Sequence, residues 1–239
     1  MKKFIIAIIL LKLAFLTLLL LLFVSSCRTR SEMGIRPAPT SASVDDNINR
    51  PRSEPYTGDL SIFESEDRAK NLQIDRVMDI LKITEGKSVA DIGAGSGWFT
   101  VRAAMRVGDK GKVFAVEINQ EYINYINDRA KKEGFGNIET ILGTEDNPKL
   151  PKDAVDAVLI LKTYHEFAQP LKVLKNVRLA LKKDALIGII DINGNGDDHG
   201  IKKELVIEEL KRAGFVLVDD YDFVKPDGMD YFLVFRAMN

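Results

Sequence analysis

The stretch Ser88–Thr100, SVADIGAGSGWFT, decides the fold. A short apolar run, Ser88 to Ile92, breaks into glycines at three alternate positions, Gly93, Gly95 and Gly97, and then into an amphipathic segment from Trp98 to Arg106. Glycine is needed where backbone must turn with positive φ or approach a ligand closely, since a side chain there would fill the ligand's space. In α/β sheets, ligands sit beyond the carboxyl ends of the strands, where this loop falls. The dinucleotide fingerprint Gly-x-Gly-x-x-Gly would require glycine at 98 after Gly93 and Gly95. The chain has Trp98, so NAD or FAD, and with them a nicotinamide-dependent oxidoreductase, fit poorly.

Outward from the loop, short apolar runs alternate with amphipathic stretches. Upstream, Ser65-Glu66-Asp67 supplies an N-cap and acidic first turn for a helix with Leu72, Val77, Ile80 and Leu81 on its apolar face, running to Lys82 and closed by Gly86. Downstream, strands are expected at Lys112 to Glu117, Asn137 to Leu142, Val155 to Leu161 and Ala185 to Asp191. Helices are expected at Gln120 to Glu133, Leu171 to Leu181 and Ile201 to Ala213. This alternation implies a parallel sheet covered on both faces. The rhythm breaks at the end, where Phe215–Val218 and Tyr231–Phe235 are joined through Lys225-Pro226-Asp227-Gly228, a turn that makes a hairpin. The fold class is therefore α/β: a Rossmann-like doubly wound sheet, mostly parallel, ending in a β-hairpin with one antiparallel strand. The folded domain is expected to span residues 60–239.

Asp91-Ile-Gly93-Ala-Gly95-Ser-Gly97, with the terminal hairpin, resembles the signature of class I methyltransferases that use S-adenosylmethionine, and the resemblance runs from about Glu66 to the end. It implies that S-adenosyl-L-methionine is the cofactor, that the loop of Gly93, Gly95 and Gly97 faces its methionine part, and that Asp91 holds its amino end. Glu117, at the end of the next strand, is expected to accept two hydrogen bonds from the ribose diol. Thr144 and Glu145 align by order with the loop that meets adenine. Tyr164-His-Glu-Phe167 and Gly143-Thr-Glu-Asp-Asn-Pro148 also resemble a bacterial group of predicted methyltransferases, often with signal sequences, distantly similar to quinone-biosynthesis methyltransferases. One departure is the Lys-Pro-Gly-Gly turn common before the fifth strand, which here is Lys182-Lys183-Asp184-Ala185.

Chemistry is expected in the loop after the fourth strand. His165 could take a proton from a hydroxyl, amine or activated carbon, because imidazole titrates near neutral pH, or could instead order the loop. Tyr164 joins it as a catalytic candidate or caps the core, Phe167 lines an aromatic pocket or does the same, and Glu166 is read as the start of the following helix. His199 falls in a glycine-rich lip. No metal is expected: Asp191-Ile-Asn193-Gly-Asn195-Gly196 meets the calcium-loop template only in part, since its twelfth position is Lys202.

The chain of 239 residues carries 34 Lys+Arg and 35 Asp+Glu, so no basic field recruits nucleic acid. Its single cysteine excludes an internal disulfide and a multi-cysteine metal site. That residue, Cys27, follows an apolar run from Met1 to Val24 that opens with Lys2 and Lys3, and Val24-Ser25-Ser26-Cys27 resembles a bacterial lipobox. Residues 1–26 are thus either a signal peptide, with Cys27 the site of lipid attachment, or an uncleaved transmembrane anchor. The first places the domain in the cell envelope as a lipoprotein; the second leaves it cytoplasmic. Residues 27–59, rich in Ser, Pro, Arg and Asn, read as a tether. The expected activity is methyl transfer to a small or lipid-like acceptor near the membrane. The alternative is an exported ligand-binding or scaffold protein on a retired methyltransferase fold. The oligomeric state is left open.

Overall fold

Leu72 and Ile74 are both buried although two positions apart, a spacing that puts side chains on opposite sides of one straight helix. In the computed structural model, which describes residues 50–196, 199–225 and 227–238, the chain resolves this conflict at Gln73. Gln73 adopts φ +46° and splits the expected helix Ser65–Lys82 into α1, Arg68–Leu72, and α2, Ile74–Ile80. A 3-10 turn at Leu60–Glu64 comes first, and Ser65 closes that turn rather than capping a helix. The leader, Cys27 and the tether as far as residue 49 lie outside the described residues. Among those described, no helix is long and apolar enough to cross a membrane.

The strands are β1, Ser88–Ile92; β2, Lys112–Glu117; β3, Ile138–Leu142; β4, Val155–Leu161; β5, Leu181–Ile192; β6, Phe215–Tyr221; and β7, Asp230–Ala237. They form one seven-stranded sheet in the order β3-β2-β1-β4-β5-β7-β6. β1 to β5 run parallel, while β7 inserts between β5 and β6 and is antiparallel to both. The expected fold is what the chain adopts, including its one antiparallel strand. The order reverses between β1 and β4, which opens the crevice where ligands bind in such sheets.

Four more helices cover the sheet: α3, Trp98–Val107; α4, Gln120–Glu133; α5, Pro170–Ala180; and α6, Lys203–Arg212. Strand residues alternate between the two faces. Ala90, Ile92, Val158 and Ile160 pack with Leu171 and Leu174 of α5 and Val206 of α6, while Val89, Ala157 and Leu159 pack with Val77 of α2 and Trp98 and Phe99 of α3. Burial on both faces explains why these strands read as continuous apolar runs.

β5 begins earlier than expected. It takes over at Leu181 directly after α5, and its register against β4 jumps from Val155↔Leu181 to Ala157↔Leu186. The segment Lys182-Lys183-Asp184-Ala185 is the resulting bulge, with Asp184 at φ +64° and Lys182 Nζ 2.7 Å from Asp156 Oδ2. Further along β5, Gly188 lies against the other core, where an added Cβ would come within 2.9 Å of both Leu81 and Phe232. Neither neighbour can withdraw from a filled interior, so Gly188→Ala is expected to destabilise the domain by about 1–3 kcal/mol. Urea unfolding followed by circular dichroism checks this, with a lowered midpoint and an unchanged slope.

Candidate active site

The glycine loop leaves β1 in a conformation that side chains rarely adopt. Gly93 and Gly95 have φ +74° and +56°, and a Cβ on Gly93 would lie 2.2 Å from Thr163, in the turn after β4. Close approach of the two turns, as well as backbone conformation, therefore requires glycine. Gly93, Gly95, Asp91, Glu117, Thr144 and Glu145 all line one cavity of about 510 Å³ at the carboxyl ends of β1 to β4. Gly97 does not line it: at φ +72° it caps the start of α3.

Asp91 is fully buried at the cavity floor and accepts a 2.6 Å hydrogen bond from the Thr100 hydroxyl. Burial, with the charge of Glu117 adding to it, pushes its carboxyl up to about 7. Arg68 of α1 faces the same space, held over the Trp98 ring at 4.5 Å, and burial lowers its guanidinium to about 10. A carboxylate and a guanidinium in one wall suit a zwitterion. Glu117 accepts from the Gly95 amide at 2.7 Å and the Ile118 amide at 3.0 Å, and burial raises its carboxyl above the ordinary range. Four lone-pair sites on a carboxylate leave room for a diol beside those two amides.

The two catalytic candidates are not on the cavity wall. Tyr164 is fully buried, and its hydroxyl donates at 2.7 Å to Glu209 of α6. Burial and the Glu209 charge hold that hydroxyl far above its usual range, so Tyr164 is a core residue and no proton donor or acceptor for a ligand. His165 is also buried: its Nδ1 lies 2.8 Å from Asp191 Oδ1, and its amide donates to Asp191 Oδ2 at 3.0 Å. The next residue, Glu166, reaches the cavity instead. His199 is exposed, with its ring 5.8 Å from that of His165.

The boundary of the tether also moves. Residues 50–58, expected to belong to it, form a strap across the turn after β4. Arg50 is buried, and its Nη2 donates to the carbonyls of Tyr164 and Phe167 at 2.8 and 2.9 Å, while its Nε lies 3.5 Å from Glu209. The Ser53 amide donates to the His165 carbonyl at 3.2 Å, the Tyr56 amide to Glu166 Oε1 at 3.2 Å, and the Tyr122 hydroxyl to the Tyr56 carbonyl at 3.1 Å. Arg52, Pro55, Tyr56 and Thr57 become cavity wall. A Ser/Pro-rich stretch with few apolar residues carries no sequence signal for this, because a guanidinium binding turn carbonyls, not an apolar face, docks the segment. Arg68 was equally hidden within a helical pattern.

These contacts generate a specific expectation for Arg50→Ala. The two turn carbonyls lose their donor, costing about 1–3 kcal/mol, and amide exchange at Ser53 and Tyr56 should accelerate while that at Gly95 stays slow. Hydrogen-exchange mass spectrometry distinguishes this from loss of the whole fold.

A family model described as a methyltransferase domain matches residues 83–217. A protein-L-isoaspartate O-methyltransferase of Methanococcoides burtonii is 32% identical over 95 residues, 39% of this chain and 46% of that protein. A ubiquinone/menaquinone biosynthesis C-methyltransferase of Vibrio campbellii is 25% identical over 109 residues, 45% of this chain and 42% of that one. The chain thus spans less than half the length of these curated relatives. Among solved structures, a SAM-dependent methyltransferase from Aquifex aeolicus superposes with a TM-score of 0.67 at 25% identity, covering 75% of this chain and 98% of that one. The cyclase SpnF superposes with a TM-score of 0.62 at 16% identity over 80% of this chain and 87% of its own, a likeness of fold alone.

Proposed function

We propose, from the premise that this chain belongs to the methyltransferase-domain family, that it transfers a methyl group from S-adenosylmethionine to a small or lipid-like acceptor near a membrane. The observation that carries the reading is the convergence of Asp91, Arg68, the glycine loop and Glu117 on one cavity. Asp91 binds the ammonium of the cofactor's methionine part and Arg68 its carboxylate. The Gly93–Gly95 backbone leaves space for the chain between them, and Glu117 receives the ribose diol. Thr144 and Glu145, on the wall of the same cavity, meet the adenine in this reading. The cofactor supplies a sulfonium whose methyl is already activated, so the protein's task is alignment and exclusion of water.

Support for the acceptor comes from the rest of the wall. Tyr56, Phe63, Leu161, Phe167 and Val173 give that part of the cavity an apolar, largely aromatic surface. The leader supports a site close to a membrane. Cys27 as a lipidated N-terminus is the form we propose; mass spectrometry of the membrane fraction should find the diacylated cysteine, and an intact Met1 would instead indicate the anchor and a cytoplasmic domain.

Isothermal titration of the full chain tests the core of the proposal. S-adenosylmethionine should bind the unmodified protein. Gly95→Arg fills the cavity and should abolish binding. Glu117→Ala should weaken it by about 1.5–3 kcal/mol, roughly 10- to 150-fold. No binding by the unmodified chain would overturn the reading. Binding without turnover on lipid, quinone and protein acceptors would favour a ligand-binding protein on the same fold.

Affinity should also depend on pH. Asp91, pushed up to about 7 in the free protein, must be ionised to pair with an ammonium, so binding expels its proton at lower pH. The dissociation constant should therefore fall as pH rises toward 7, by up to tenfold per unit, and level off above. Asp91→Asn should remove the slope.

A further inference from the structure

Two of the cavity's carboxyls are committed to the cofactor by their partners, Asp91 beside Arg68 and Glu117 beneath the glycine loop. Glu166 is different. It lies on the turn after β4, and its Oε1 accepts the Tyr56 amide from the strap. Among the described residues its Oε2 accepts no hydrogen bond. Behind it, His165 Nε2 is 3.9 Å from Oε1, and the other ring nitrogen is bonded to fully buried Asp191. A line of three groups thus runs from the end of β5 to the cavity: Asp191, His165, Glu166.

The surroundings of Glu166 combine this line with aromatic rings. Tyr56 of the strap, Phe63 of the 3-10 turn, Tyr122 of α4 and Phe167 share the wall, with Tyr56 and Phe63 edge to face at 5.4 Å between ring centres. Aromatic walls favour a flat ring, which stacks or meets them edge-on. The charged and titratable groups facing Glu166 come from every neighbouring element: His165 on its own turn, Asp191 on β5, Glu117 on β2, Tyr122 on α4 and Arg52 and Tyr56 on the strap. Burial above all, opposed by His165 and the Tyr56 amide and helped by the charges of Glu117 and Asp191, raises its carboxyl to about 7. A base that titrates near the working pH is well matched to proton removal.

We propose, building on the methyl-transfer reading above, that Glu166 is the catalytic base for an acceptor that attacks through a hydroxyl on an aromatic ring, and that His165 is a positioning residue behind it. The acceptor oxygen forms its bond to the methyl carbon as the carbon–sulfur bond breaks. That bond's electron pair passes to sulfur, which becomes a neutral thioether. The hydroxyl proton goes to the Glu166 carboxylate and leaves to solvent when the product departs. A phenol, with a pKa near 10, needs such help at neutral pH.

Trp98 is the single tryptophan of the chain and lines the cavity, so its fluorescence reports occupancy. Catechol, decylhydroquinone and benzylamine are titrated onto the full chain saturated with S-adenosylhomocysteine, and then assayed with S-adenosylmethionine. At least one of the two phenols should bind, more weakly as pH falls below 7, and should be methylated. Glu166→Gln should remove that pH dependence and lower kcat about 10²- to 10⁴-fold, with cofactor affinity within threefold of the unmodified chain. His165→Gln should move the pH inflection upward, because the imidazole opposes the raising of the carboxyl, and should leave the maximal rate high. Undiminished turnover by Glu166→Gln, methylation of benzylamine alone, or a cofactor-loaded site that neither binds nor methylates a phenol would each overturn the proposal. Failure to bind the cofactor would remove the methyl-transfer reading itself.

Discussion

The hydrogen bond from the Gly95 amide to Glu117, at 2.7 Å, ties together the two elements on which the cavity depends. The loop after β1 presents that amide with Gly95 at positive φ, and Glu117 receives it because β2 runs one residue past Val116, the partner of Ile92, and so ends level with the loop. The Gly93 amide adds a second tie to β2 at the Val116 carbonyl, and the contact of Gly93 with Thr163 brings in the turn after β4. Three neighbouring strand ends are thereby fixed to one another at a point where side chains have been removed. The space beside them persists because Gly93 and Gly95 put no side chain into it.

The same cavity collects charge that folding alone does not favour. Asp91 and Glu166 are both pushed up to about 7 by burial, and Glu117 is raised as well. Between the ordinary carboxylate range, about 4, and pH 7, the native state holds protons that the unfolded chain has released, so these groups lower stability as pH rises through that window. A cation beside Asp91 would reverse that balance for its carboxyl, as Arg68 already does in part. The burial that raises these carboxyls is thus a cost the fold carries at the cavity rather than in its apolar core.

What could be read from the sequence followed from local geometry. The parallel strands are buried on both faces and announce themselves as apolar runs; the glycine loop announces itself because no other residue fits that backbone. That Asp91 and Glu117 would reach one cavity was legible because Asp91 precedes the last residue of β1 and Glu117 ends β2, both beside the loop. Features set by contacts across the fold were not. The break at Gln73 arises because Leu72 and Ile74 face the same core, which a helical pattern cannot reveal. In the turn Tyr164-His165-Glu166, three polar-tipped side chains stand in succession, and a 3-10 turn sends successive residues about a third of a circle apart. Which of them meets the cavity depends on what lies around the turn: Glu209 draws Tyr164 inward, Asp191 draws His165, and Glu166 is left to the ligand side.

Arg50 gives the strap its significance. A surface loop held by backbone contacts alone opens at little cost, whereas a buried guanidinium bound to two carbonyls and set against Glu209 must leave three partners at once. Those carbonyls belong to Tyr164 and Phe167, on either side of His165 and Glu166, so the grip that docks the strap also fixes the turn that carries Glu166. The strap in turn donates the Tyr56 amide to that carboxyl. The strap and the turn that carries Glu166 are therefore held by the same contacts, those of the Arg50 guanidinium and the Tyr56 amide. The strap residues beyond Arg50, namely Arg52, Pro55, Tyr56 and Thr57, form part of the cavity wall, so the wall's position depends on this buried cation together with the backbone contacts of Ser53 and Tyr56.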